Sequence, residues 1–187
     1  RDLLRSWSIF RMADVVLVST ADWDHPLWTN KQHVACSLLD EGHRILYVDS
    51  LGLRMFQPTG RDLRRVIRRL RRGLSLPRQV RKGLWVWSPL VLPGGNQGIA
   101  LMLNRLSLAM GLRLALWFIE FRRPWLWTYN PLTARFLSLK GFSLCIYHAV
   151  DALQEQPCMP REVIEAEEQR LCRLVDQVFV TSPQLKR

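Results

Sequence analysis

Cysteine is scarce in this chain of 187 residues. Cys36, Cys145, Cys158 and Cys172 are its four, no two form a C-x-x-C pair, and each lies in or beside an apolar run. That argues against a disulfide scaffold or a zinc module and fits a reducing compartment. Acidic side chains are also few, 16 against 27 basic ones, which leaves a formal charge of +11. Several signatures of chemistry are missing. No G-x-G-x-x-G follows the first strand pattern, which counts against a nicotinamide-dependent dehydrogenase, and there is no Walker A sequence, G-x-S-x-G elbow or H-E-x-x-H helix. The first eleven residues carry no apolar run long enough for a secretory signal. Met12 stands directly before the first strand pattern, so residues 1–11 can be read as an extension upstream of a natural start.

What is present is a folding composition, 48% hydrophobic and 10% aromatic, of a length suited to one domain over residues 12–187. Asp14–Ser19 is an almost unbroken aliphatic run, as a strand buried on both faces of a parallel sheet reads. Pro26 opens a stretch with apolar residues near helical spacing, and Gly42 ends it. Arg44–Asp49 is the second strand, reached by a crossover rather than a hairpin. The alternation continues with helices expected over Arg61–Arg72, Ile99–Phe121, Pro131–Leu139 and Pro160–Val175. Strands are expected over Leu84–Trp87, Trp125–Tyr129, Leu144–Tyr147 and Val178–Thr181. This predicts an α/β fold, a doubly wound, mostly parallel Rossmann-like sheet that takes ligands at the carboxyl ends of its strands. Ile99–Phe121 approaches membrane-spanning length, but Arg105 and Arg113 inside it are costly in lipid. It is therefore read as a helix that covers the sheet or lies partly exposed at a membrane face.

Two loops at strand ends concentrate unusual residues. Ser19 to His33 holds two tryptophans, two carboxylates, two histidines and an amide pair around a helix start, where free N–H groups and indole faces suit a phosphate or a sugar. Asp24, Trp28, Asn30 and Gln32 are its candidate substrate contacts, against a plainer reading in which the tryptophans pack and Asp24 caps the helix. Tyr147-His-Ala-Val-Asp151 ends a buried strand in a histidine and then a carboxylate. Asp151 is the first candidate for a catalytic base and His148 the second, against a turn residue and a satisfied core histidine.

The run Ala21 to Ala35 and Tyr147 to Asp151, with Leu38 to Asp49, Glu165 to Glu168 and Leu174-Val-Asp-Gln-Val-Phe-Val-Thr-Ser-Pro183, resemble the amino-terminal part of bacterial family-4-type glycosyltransferases of the GT-B fold. The resemblance runs from about Asp14 to the end, with His148 and Ala152 standing where relatives often have aspartates. It implies a second Rossmann-like domain beyond Arg187 that makes most contacts to the donor. It implies transfer from a nucleotide-sugar to a glycan or lipid-linked acceptor in cell-surface polysaccharide biosynthesis. Neither a cofactor nor a metal ion is implied, since helix termini and basic side chains would stabilise the leaving diphosphate.

Between Arg54 and Lys82 eleven basic residues face the single acid Asp62, with Leu63, Val66, Ile67 and Leu70 at helical spacing among them. Such a stretch can lie on an anionic membrane, Arg64, Arg65, Arg68 and Arg69 meeting headgroups, or can be a solvated basic face over the sheet. The expected location is the cytoplasm, peripheral on the inner face of the plasma membrane. Nucleic-acid binding is the competing class, and no recognition motif supports it. A basic, non-enzymatic α/β module that binds anionic membrane or nucleic acid is the alternative.

Overall fold

The computed structural model describes residues 12–51, 76–92, 95, 97–150 and 161–181. Their chain alternates strands and helices: β1 (Asp14–Val18), α1 (Asn30–Asp40), β2 (Arg44–Val48), β3 (Arg78–Arg81), β4 (Leu84–Trp87), α2 (Gly98–Phe118), β5 (Trp125–Thr128), α3 (Thr133–Phe136), β6 (Leu144–Ala149), α4 (Arg161–Cys172) and β7 (Gln177–Val180). The expected helix over Arg61–Arg72, with Arg64, Arg65, Arg68 and Arg69, lies outside the described residues, as does Asp151.

The strands form one seven-stranded sheet in the order β3-β4-β2-β1-β5-β6-β7. Every neighbouring pair is parallel except β3 with β4. Leaving out β3, the parallel strands run outward from β1 first to one side and then to the other, an order compatible with a Rossmann-like fold. The reversal falls between β1 and β5, which is where a sheet of this order takes ligands at the carboxyl ends of its strands.

The β-branched and aliphatic run of β1 is buried along its length because both of its faces are covered. Val15 and Leu17 pack with Ile45, Tyr47, Trp23 and Ala35 of α1. Val16 and Val18 pack with Leu46, Val48, Leu126 and with Leu108, Leu112 and Ala115 of α2. Alternation along the strand thus sends successive side chains into two separate cores.

Three expectations need correction. The first helix begins at Asn30, not Pro26, because Gln32 turns back to fasten its start and the four residues before Asn30 stay outside the helix. β3 was not expected: Gln79 and Val80 are polar and apolar neighbours in a basic stretch, yet the turn at Gly83 (φ +83°) folds Arg78–Arg81 back as an antiparallel edge strand. The strand expected to end at Tyr147 runs on to Ala149, because β7 supplies a pairing partner for His148 in Phe179 and for Ala149 in Val180. The remaining elements match their expected places within a few residues at each end.

Candidate functional site

The loop from Ser19 to Thr29 is held by hydrogen bonds that begin in the strands. Ser19 is fully buried, its Oγ accepts from Ala21 N at 2.9 Å and from the Tyr47 hydroxyl at 2.7 Å, and that hydroxyl also reaches the Ala21 carbonyl at 3.0 Å. Asp49, at the end of β2, accepts from Trp23 N at 2.7 Å and from the Ser88 hydroxyl. Burial pushes the Asp49 carboxyl above its usual range, and the bonds from Ser88 and Trp23 act in the opposite sense. Trp23 is consequently a core residue, with Trp28 resting on its outer side at a ring separation of 5.1 Å.

Against this frame the four candidates of the first loop separate. Gln32 is fully buried and structural: its Oε1 accepts from Thr29 N at 3.0 Å and from the Thr29 hydroxyl at 2.8 Å, while Nε2 donates to the Asp22 carbonyl at 3.1 Å. It closes the helix start as the third residue of a capping box does. Asp24 does not cap that helix, since Thr29 is the N-cap, and instead pairs with Arg78 of β3 at 2.6 Å. Trp28 is 41% exposed and contacts His33 edge-on at 5.6 Å, which leaves an indole surface open beside the helix start. Asn30 is the first residue of α1 and half-buried.

A second group lies across the carboxyl ends of β5 and β6. Trp125, Trp127 and Tyr129 follow one another at alternate positions, and all three pack on the α1 side of the sheet. The loop behind them is rigid: Thr128 Oγ1 and Thr133 Oγ1 are 2.6 Å apart, Asn130 N donates to Thr128 Oγ1, and Leu132 N donates to Asn130 Oδ1. His148 lies among these rings, 4.9 Å from Tyr129 and 5.8 Å from Trp127 between centroids, with Phe179 of β7 at 6.1 Å. Lys31, buried in the first turn of α1, places its ammonium 5.8 Å from the centre of the Tyr129 ring.

His148 is not the satisfied core histidine of the plainer reading. Its Nδ1 is buried without a hydrogen-bond partner among the described residues, and so are the Tyr129 hydroxyl and the Trp127 indole nitrogen. The Trp127 N–H is close enough to the Tyr129 oxygen to act on its titration, so His148 Nδ1 is the atom left without any partner, which is unusual because buried polar groups are normally paired. Burial, and then the charge of Lys31, hold the His148 imidazole below its ordinary pKa, so at neutral pH it carries no charge. Burial pushes the Tyr129 phenol up, the nearby Trp127 N–H acting the other way, so Tyr129 remains a hydroxyl. The cluster therefore combines a phenol, an indole N–H and a neutral imidazole beside a buried ammonium.

Lys31, Trp127 and Tyr129 were not foreseen. The Trp-x-Trp-x-Tyr alternation from Trp125 to Tyr129 was a readable sign that three aromatic rings share one face, whereas nothing local marks Lys31 as buried. Lys31 also links the two groups, being the neighbour in sequence of Asn30 and Gln32 and in space of Tyr129 and His148. Among the described residues no cluster of three or more His, Cys, Asp or Glu could hold a metal ion. The acidic helix stretch faces elsewhere: Glu168 accepts from the Tyr147 hydroxyl, and Glu167 pairs with Arg135 at 2.8 Å. In comparisons with known proteins, no family model and no curated protein matches the chain.

Proposed function

We propose that this chain is the acceptor-side, doubly wound domain of a GT-B glycosyltransferase at the cytoplasmic face of the plasma membrane. It would help move a sugar from a nucleotide-sugar donor to a hydroxyl of a glycan or lipid-linked acceptor in cell-surface polysaccharide biosynthesis. The single observation that supports this most is the cluster of Trp127, Tyr129 and His148 at the sheet's carboxyl side beside buried Lys31, in which His148 Nδ1 is buried without a hydrogen-bond partner among the described residues. A polar-aromatic cluster of this kind beside a lysine is in keeping with a site for a hydroxyl-rich ligand, and an exposed Trp28 face suits the apolar side of a sugar ring. Two strand-flanking cores, one under α1 and one under α2, support the doubly wound reading.

In the reaction the acceptor oxygen attacks the anomeric carbon, its proton passes to a base, and the nucleoside diphosphate departs. Asp151 is the first candidate for that base and neutral His148 the second, with Tyr129 and Lys31 as positioning groups. Neither cofactor nor metal ion is required in this scheme, and the partner domain would carry the contacts to the diphosphate. The four arginines Arg64, Arg65, Arg68 and Arg69 would bring the enzyme to anionic lipid.

The test is transfer from radiolabelled nucleotide-sugars to a lipid-extracted acceptor fraction by the complete product of the gene. Asp151→Asn should lower kcat about 100-fold or more with an unchanged melting temperature, a typical size for loss of a general base. His148→Gln should chiefly raise KM if the imidazole positions the acceptor. No transfer from any donor would overturn the reading, and full turnover by Asp151→Asn would remove that residue from the mechanism.

A further inference from the structure

α2 carries two opposed faces. Asn104, Leu108, Leu112 and Ala115 are its buried side and pack on the sheet. On the far side Ile99, Met102, Leu106, Met110, Leu114 and Trp117 recur at helical spacing and are exposed, Ile99 by 75%, Met110 by 62% and Trp117 by 76%. This stripe continues over about 27 Å, the rise from Ile99 to Trp117. Phe118 and Leu103 widen it. Arg105 lies at its edge and Arg113 within it, both exposed, and the helix has no acidic residue at all.

We infer that α2 is an interfacial helix, which lays this stripe in the headgroup and acyl boundary of an anionic bilayer while its opposite face stays on the sheet. Length and composition alone would also allow the helix to cross a membrane. The anchoring of its inner face decides against that. Asn104 accepts from Leu92 N at 2.7 Å and donates to the carbonyls of Leu92 and Gly95, and Ser107 donates to the Leu90 carbonyl at 2.8 Å. Extracting α2 into lipid would break those bonds and strip the core of Leu108, Leu112 and Ala115.

The same bonds favour lipid over a protein partner. Beside the stripe lies an open groove of about 300 Å³, lined by Leu90, Leu92, Leu103, Asn104, Leu106, Ser107 and Met110. The polar side-chain atoms along it are already spent on the loop, so the groove offers a peptide backbone no hydrogen bond, while hydrocarbon needs none. Charge complementarity points the same way: the exposed face carries Arg105 and Arg113, whose long stems can carry their guanidinium groups up to the headgroups, has no acid, and belongs to a chain of net charge +11, as a surface that meets anionic headgroups requires. The inference is independent of sugar transfer and rests on residues other than Arg64 to Arg69.

The experiment is sedimentation of the full chain with vesicles of phosphatidylcholine alone or with phosphatidylglycerol, followed by carbonate extraction. Binding to the anionic vesicles is expected, with release by alkaline carbonate. The variant Leu106→Ser/Met110→Ser/Trp117→Ser should bind at least tenfold more weakly, and Arg105→Gln/Arg113→Gln about tenfold more weakly. All five side chains are exposed, so melting curves of both variants should match the parent. Undiminished binding by the triple variant would overturn the inference, as would retention after carbonate, which indicates a spanning helix. Self-association of the chain that the triple variant abolishes, without vesicle binding, would assign the stripe to a second copy and overturn it equally.

Discussion

His148 shows how a residue that reads as ordinary in a sequence becomes unusual through its neighbours. Nothing adjacent to it in the chain distinguishes it from a packed histidine, since its character comes from Tyr129 and Trp127 on β5, Phe179 on β7 and Lys31 on α1. Such long-range placement was not legible, whereas the concentration of aromatic and polar types around Trp28 and Asn30 was. Gln32 illustrates the opposite error, a polar side chain at a helix start that looks free for a ligand and is consumed by Thr29 and Asp22. The depressed pKa of His148 has a consequence for stability. The unfolded chain takes up a proton near pH 6.5, the folded chain only at a lower pH, so protons bind the unfolded state more in between. Stability is therefore fully present above that value and falls as pH drops towards the folded pKa. Urea midpoints measured from pH 7.5 down to pH 5 should decline more steeply for the parent than for His148→Phe, and NMR titration should place the parent imidazole lower than in Lys31→Met. Equal slopes and equal titrations would show that neither burial nor Lys31 acts on this ring.

At the scale of elements, most of the sheet was readable because parallel strands buried on both faces leave continuous aliphatic runs, as in Asp14–Val18 and Arg44–Val48. β3 was not, since an edge strand of sequence Arg-Gln-Val-Arg carries no such run and owes its existence to pairing with β4. α2 was readable as a helix, but its division into an inner and an outer face was hidden by apolar residues all round. Gly111 lies on its inner side, where a Cβ would stand 2.7 Å from Cζ2 of the buried Trp87 indole. Helical propensity alone would make Gly111→Ala stabilising by about 1 kcal/mol. The contact outweighs this, because a ring in a filled core yields only at a cost of about 1–3 kcal/mol. Gly111→Ala should therefore lower the urea midpoint, and combining it with Trp87→Leu should cost less than the two changes separately. A stabilised single variant would mean that Trp87 shifts freely and that the two core layers are looser than their packing implies.

Over the whole molecule, charge and architecture oppose one another. The sheet buries its two faces against α1 and α2, so the excess of 27 basic over 16 acidic residues must be carried on the molecule's surface. Ion pairs such as Arg44–Asp14 and Arg78–Asp24 relieve this locally, but in each the arginine is about half exposed and exposed pairs contribute about 1 kcal/mol or less. Repulsion among the remaining cations acts over a longer range and disfavours the compact state. Raising sodium chloride from about 0.01 M to about 0.1 M shortens the screening length from about 30 Å to about 10 Å, which removes repulsion between distant charges while weakening close pairs far less. The melting temperature should accordingly rise by a few degrees over that range, with most of the gain at the lowest salt, as scanning calorimetry can follow. A fall would mean that the attractive pairs outweigh the excess charge. On the inference that α2 lies on anionic vesicles, these supply the same screening from one side only, so their stabilising effect at low salt should shrink as sodium chloride is added.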